Sequence, residues 1–492
     1  MSPSQNPVLI HVARFFLYGI LLFSGCTPTE RYTYERIRAA HGGAETLSLQ
    51  KAQGSPCSEF PDLSGPLGLW DAVAVALKNN PDMDRTLARI HQAEAMIDRA
   101  LASFWPTFSV YGEYLQGNAP SSYLFKTIDQ RRLPPQVDFN DPGWFENVET
   151  GIQGQINLFK GGRDLLRKKM AETELKIQQT DRESVENALI ASVIQAYFNA
   201  LAAGEFIRIA KTSVNTIETQ LRIMQVRYEG GGALRSDILS LKVHLAQAKE
   251  DLLRIENNYN LSLAAMADLL GLDPDSPILL KRYEERLMDL LPEYGDGLVY
   301  ALAHRPELKK IRQQIVHSRM AVDMACSQYL PRMDARMKVY FDDEHLDFEA
   351  ERKNWTVGVL LNWDLFTGLS TRAEKNRAQA ILNEMMAGDR LLTNTVRLDL
   401  KTGYLRLEEA AARLKVAHAS VEESRESFHL VKRQYEGGSA TITRYLDAEL
   451  AWNRARFRYA AACYDREKAS AALGRALGFW VNHVREVFGD HE

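Results

Sequence analysis

Apolar residues recur along this chain with two different periods. Ala210, Val214, Ile217, Leu221, Met224 and Tyr228 alternate spacings of four and three. After Glu229–Gly232 the rhythm resumes at Ile238, Leu241, Leu245, Ala248, Leu252, Ile255 and Tyr259. Such spacing places the apolar residues along one seam of a left-handed coiled coil. The glycines between the two runs suit a helix end and a chain reversal. The pattern predicts an antiparallel helical hairpin with its tip near residue 231, and a second with its tip near residue 438. Arg163–Glu229 and Ser370–Glu436 each hold 67 residues without proline. As single helices they would be ~100 Å long, since each residue adds about 1.5 Å. Shorter helices are expected over Asp82–Phe104 and Ser236–Leu270, two of which fit end to end beside one long helix.

Four segments alternate with period two. Phe108, Val110 and Tyr114 alternate with Thr107, Ser109, Tyr111 and Glu113, and Val148, Ile152, Ile156 and Leu158 with Asn147, Glu149, Gln153, Gln155 and Asn157. Met333, Ala335, Met337, Val339 and Phe341 alternate with Arg332, Asp334, Arg336, Lys338, Tyr340 and Asp342. Trp355, Val357, Val359, Leu361, Trp363 and Leu365 alternate with Thr356, Gly358, Leu360, Asn362 and Asp364. Each predicts a strand with one apolar and one polar face, of about 10 residues, the length of a tilted membrane-crossing strand. A soluble sheet with one wet face reads the same locally. In the membrane reading, Glu113, Glu149, Arg332, Asp334, Arg336, Lys338 and Asp364 face a water-filled lumen.

The chain repeats itself. Residues 76–114 align without a gap on 301–339, and 151–272 on 358–479. Pro81 falls on Pro306, Pro106 on Pro331, and Tyr228–Gly231 on Tyr435–Gly438. Pro106 and Pro331 mark the passage from helix to strand, because a residue before proline is pushed out of helical geometry. The shift in offset from 225 to 207 leaves 18 extra residues in the first repeat, expected in the loop Gly117–Phe145.

Composition adds an address. His11 and Arg14 precede an apolar stretch from Phe15 to Phe23, then Ser24-Gly25-Cys26. This has the form of an export signal and is too short to span a bilayer. A small-residue ending on cysteine resembles a lipoprotein signal, in which Cys26 becomes the lipid anchor. Four cysteines among 492 residues are too few and too scattered for a disulfide framework or a zinc site. A formal net charge of -4 does not suggest a nucleic-acid binder. No P-loop, HExxH or GxSxG motif is present, so no enzyme, cofactor or metal is expected.

Four strands cannot close into a barrel, and open edges are not tolerated in lipid. The protomer is therefore expected to oligomerise. The competing reading, a periplasmic coiled-coil scaffold or adaptor, explains the helices and the signal but not the four face-matched strands.

These features together resemble the TolC family of outer-membrane efflux proteins. The resemblance rests on Asn80-Pro81-Asp82, Pro106, Leu158-Phe159 with Gly161, and the tip sequences Tyr228–Asp237 and Tyr435–Asp447. It implies a mainly α protein with membrane β structure: a trimeric twelve-stranded β-barrel continuous with a twelve-helix periplasmic α-barrel. It implies a passive exit duct in the outer membrane, working with a periplasmic adaptor and an inner-membrane pump. The implied organisation is a signal peptide over 1–25, a lipid-anchored segment over 26–66, a first efflux repeat over 67–273, an equatorial linker over 274–297, a second repeat over 298–480 and a tail over 481–492. The resemblance also maps a periplasmic gate onto Asp237, Tyr435, Arg444 and Asp447, with Tyr228, Gly230, Gly231, Gly437 and Gly438 at the hairpin tips. The family's usual basic partner of the latch acid falls at Ala440, with Arg444 one helical turn further on. An opposite-charge contact of Asp237 with Arg444 between neighbouring hairpins is therefore expected to hold the tube shut.

Overall fold

The computed structural model describes residues 65–283, 285–287, 293–345 and 350–488. The export signal, Cys26 and Cys57 lie outside them. The chain divides into two compact units, one built around residues 102–161 and 329–365, the other from the helical remainder.

The helical unit contains α1 (Leu69–Asn79), α2 (Pro81–Leu101), α4 (Arg163–Glu229), α5 (Arg235–Leu269), α6 (Tyr294–His304), α7 (Pro306–Cys326), α8 (Ser370–Glu436), α9 (Ile442–Leu477) and α10 (Trp480–Phe488). The sheet unit contains β1 (Thr107–Gly117), α3 (Pro120–Asp129), β2 (Phe145–Phe159), β3 (Arg332–Asp343) and β4 (Lys353–Asn362). Both long helices run unbroken over the expected 67 residues. α1 and α2 recur as α6 and α7 at an offset of 225, and α4 recurs as α8 at 207.

α4 packs against α2 and α5, and α8 against α7 and α9, so each long helix has two shorter companions. The expected heptad seam is the buried one: Ala210, Val214, Ile217, Met224 and Leu241 are all buried, whereas Tyr228 at the tip is exposed. α4 also packs on α9, which joins the two repeats into the row α5–α4–α9–α8. A large cluster around Tyr197, Phe198, Met266 and Trp480 ties α1, α4, α5 and α10 together. Tyr197 Oη there donates to the Leu67 carbonyl at 3.0 Å, next to a parallel bridge of Leu67 with Leu280 in the inter-repeat segment. α6 begins at Tyr294, four residues inside the span read as linker.

The sheet is antiparallel with order β1-β2-β3-β4, so β1 and β4 are its edges. Three expectations need correction. Helix α2 stops at Leu101, because Ala102–Phe104 tightens into a 3₁₀ turn ahead of Pro106. β4 starts at Lys353 and ends at Asn362, so Trp363, Asp364 and Leu365 are not strand residues. The extra length of the first repeat is not a plain loop, because it contains the ten-residue helix α3.

Candidate functional site

Two regions bear on function: the two faces of the sheet, and the hairpin tips of the helical unit.

Cross-strand register fixes the faces. Val110 opposes Ile152, Ile152 opposes Val339, and Val339 opposes Trp355. This apolar face is open: Val110, Trp355, Val357, Val359 and Leu361 are each 63–72% exposed. A water-soluble sheet would bury such a face, since contiguous apolar patches mark a surface meant for lipid or a partner. Aromatic residues mark the end where the strands meet the helical segments of the chain. Trp105 is exposed there, and Trp363 Nε1 donates to the Tyr329 carbonyl at 3.0 Å. Aromatic rings with one polar group suit the level of lipid headgroups.

The opposite face carries the charges. Glu113 pairs in register with Glu149, and Glu149 with Asp342. Tyr111 Oη donates to Glu149 at 2.7 Å, and Lys338 forms an ion pair with the same carboxylate. Lys338 Nζ also sits 4.8 and 4.4 Å from the ring centres of Tyr111 and Tyr340. Arg332 and Arg336 are exposed on this face, while Asp334 is buried on it. The six expected lumen residues within the strands thus share one face, and Asp364 lies beyond the end of β4. Glu149 is not open to solvent, because α3 folds over it: Lys126 Nζ lies 2.7 Å from Glu149 Oε2 and 3.0 Å from Asp342 Oδ1. The extra length of the first repeat was visible in the sequence, but nothing in Gly117–Phe145 disclosed that it folds back on the polar face.

At the tips, Gly230 caps the C-terminal end of α4 and Gly437 that of α8. The next residues, Gly231 and Gly438, both adopt φ of 77°, which a side chain disfavours. Thr441 caps α9 by accepting from the Arg444 amide at 3.3 Å. Just inside the tips, Ile217, Met224 and Leu241 of the first hairpin pack with Phe428, Tyr435, Tyr445 and Leu446 of the second. Tyr435 is buried in this cluster, 5.2 Å from the Tyr445 ring, with the Arg227 guanidinium 5.8 Å from its own ring centre. Burial, the largest influence, pushes the Tyr435 phenol up from its ordinary value.

The proposed gate residues do not all meet within one chain. Arg444 and Asp447 are exposed and Asp237 is half-buried. Among the described residues none of the three forms an ion pair within the chain. A residue that sequence reading missed lies close by. Glu449 is 3% exposed, and among the described residues its carboxylate accepts from Ser213 at 3.5 Å and Asn453 at 3.4 Å. Its register on a buried heptad seam would have disclosed it.

Residues 72–272 and 298–479 match the family described as outer membrane efflux protein. The chain is 24% identical over 440 residues to the pyoverdine export outer membrane protein OpmQ of Pseudomonas aeruginosa, covering 88% of this chain and 89% of that one. It is 25% identical over 420 residues to the alkaline protease secretion protein AprF of the same species, covering 83% of each. In fold it is similar to the Campylobacter jejuni CmeC outer membrane channel, with a TM-score of 0.73, 17% identity, and coverage of 88% of this chain and 90% of that one.

Proposed function

The chain belongs to the outer membrane efflux protein family, and we propose that three copies form a passive exit duct. An inner-membrane pump would load it through a periplasmic adaptor. Members of this family are outer-membrane channels rather than enzymes.

The observation that carries the trimer is the sheet with two unpaired edges, β1 and β4, and an exposed apolar face. In lipid every backbone donor and acceptor needs a partner. Joining β4 of one protomer to β1 of the next satisfies the edges, and three copies give twelve strands with room for water inside. The helical row supports the same closure. Its end helices α5 and α8 each expose further apolar side chains toward the tips: Leu239, Val243 and Leu253 on one, Val416 and Leu430 on the other. Packing α5 of one copy against α8 of the next would cover both.

Asp237, Tyr435, Arg444 and Asp447 are proposed as the periplasmic gate. Asp237 and Arg444 would meet between neighbouring hairpins, and Cys26 would carry the lipid anchor. The relatives named above are named for pyoverdine export and for alkaline protease secretion, so the family fold does not itself choose the cargo, and the pump and adaptor would set it. Purified protein reconstituted into planar bilayers tests the duct directly. Discrete single-channel steps support it, and a trimer that inserts but never conducts, even when the residues proposed to hold it shut are substituted, contradicts it.

A further inference from the structure

We infer that α3 is an inward-folded stopper, three copies of which meet across the barrel axis and build an apolar constriction from Phe125 and Ile128. This rests on the trimeric-barrel reading and extends it to a second closure, distinct from the hairpin tips.

The connector between β1 and β2 spans residues 118–144, and the one between β3 and β4 spans 344–352. Both lie at the end of the sheet away from the strand ends that continue into helices, which the barrel reading makes the outer mouth. Among the described residues, only the first connector contains an α-helix. α3 does not lie beyond the strands. It rests on their polar face, the face that would line the lumen.

The attachment is extensive. Lys126 bridges Glu149 and Asp342, whose side chains are 5% and 0% exposed. Gln130 Nε2 donates to Asn147 Oδ1 at 2.8 Å and to the Glu146 carbonyl at 2.9 Å. Asn354 of β4 donates to the Asp129 carbonyl at 3.3 Å and accepts from Arg131 at 3.1 Å. The helix therefore spans β2, β3 and β4. Without Lys126, Glu149 would keep Lys338, but Asp342 would lose its cation.

The free side of α3 is unlike a water-facing helix. Ser121, Phe125 and Ile128 are spaced four and three, so they share one stripe. Phe125 is 65% exposed and Ile128 41%, both turned away from the sheet. A twelve-stranded barrel with strands about 4.8 Å apart and tilted about 40° is about 24 Å across between backbones. A helix with its side chains is about 10–12 Å wide. Three such helices fill that opening, and their apolar stripes face one another. An apolar ring of this kind excludes water and ions by dewetting. The occupant of the exposed stripe is thus the same stripe of the other two copies. Opening requires α3 to swing out on residues 118–119 and 131–144, breaking the Lys126 bridges.

Cross-linking and labelling of the full-length protein in cells test this independently of the hairpin tips. With Phe125→Cys, mild oxidation should link copies into covalent dimers, whereas Val110→Cys on the lipid face should not. With Arg336→Cys as a reporter deeper on the polar face, a bulky impermeant thiol reagent added outside should react slowly. Adding Lys126→Ala, or Phe125→Ser with Ile128→Ser, should speed that reaction at least fivefold. The serine pair leaves the ion bridges intact, so it remains informative if Lys126→Ala fails to fold. A trimer with no cross-link at position 125 and equal labelling in all backgrounds overturns the stopper and leaves the duct standing. A protein that forms no trimer overturns the reading beneath it.

Discussion

Asn453 Nδ2 donates to Ser213 Oγ at 3.0 Å, joining α9 of the second repeat to α4 of the first. The pair holds Glu449 in an otherwise apolar seam, and burial pushes that carboxyl up to about 7. Charged groups near the seam are His244, Asp251 and Arg254 on α5 and Arg454 on α9, which line the adjoining groove. His429 of α8 lies against Trp452. Among the described residues none forms an ion pair with Glu449.

The sign of the resulting pH dependence follows from linkage. Below about pH 4.5 the carboxyl is protonated folded or unfolded. Between about 4.5 and 7 only the folded state keeps the proton, so stability falls as pH rises through that window and then levels off. The full loss is on the order of 3 kcal/mol per chain. Glu449→Gln should remove it. Thermal unfolding in detergent at pH 5 and pH 8 should show the variant gaining on wild type only at the higher pH. Equal gaps at both would mean that Glu449 does not titrate there.

The tip charges give a second expectation. Arg444→Ala should raise single-channel conductance and shift selectivity toward cations, because Asp447 is left uncompensated. Asp237→Ala should raise conductance similarly, and the double variant should add little. A partly exposed pair is typically worth about 0–1 kcal/mol, so the effect should shrink in high salt. Single variants that conduct like wild type at low salt would remove the Asp237–Arg444 contact.

The two sheet faces make opposite predictions for one substitution. Val357 and Thr356 are neighbours on β4, on the apolar and polar faces respectively. Arginine on the lipid side near the bilayer centre costs about 2–4 kcal/mol. Val357→Arg should reduce the amount of heat-resistant trimer in outer membranes, and Thr356→Arg should leave it near wild type. Equal losses would contradict the assignment of faces.

Cys26 is tested by labelling with a radioactive fatty acid. Wild type should incorporate it and Cys26→Ser should not. The variant should still insert, because the barrel supplies its own apolar band. Incorporation that persists in the variant would remove the anchor.

Much of the architecture was legible because its causes are local and periodic. Leu241 on a heptad, Val359 on a dyad and Gly438 after a 67-residue helix each declare their setting through spacing alone. The repeat then supplied a second copy of every such signal. What stayed hidden depends on tertiary contact. Lys126 lies 23 residues from Glu149 and 216 from Asp342, and no periodicity links them. Asp364 continues the alternation of β4, yet the strand has already ended at Asn362. Asp237 and Arg444 were expected to meet between neighbouring hairpins, and the two hairpins of one chain pack together without that ion pair among the described residues.

The central claim is that the open edges β1 and β4 close through identical copies. Native mass measurement of the detergent-extracted, full-length protein tests it most directly. The account predicts one species of three chain masses that precipitates when detergent is removed. A monomer that stays soluble without detergent would contradict it.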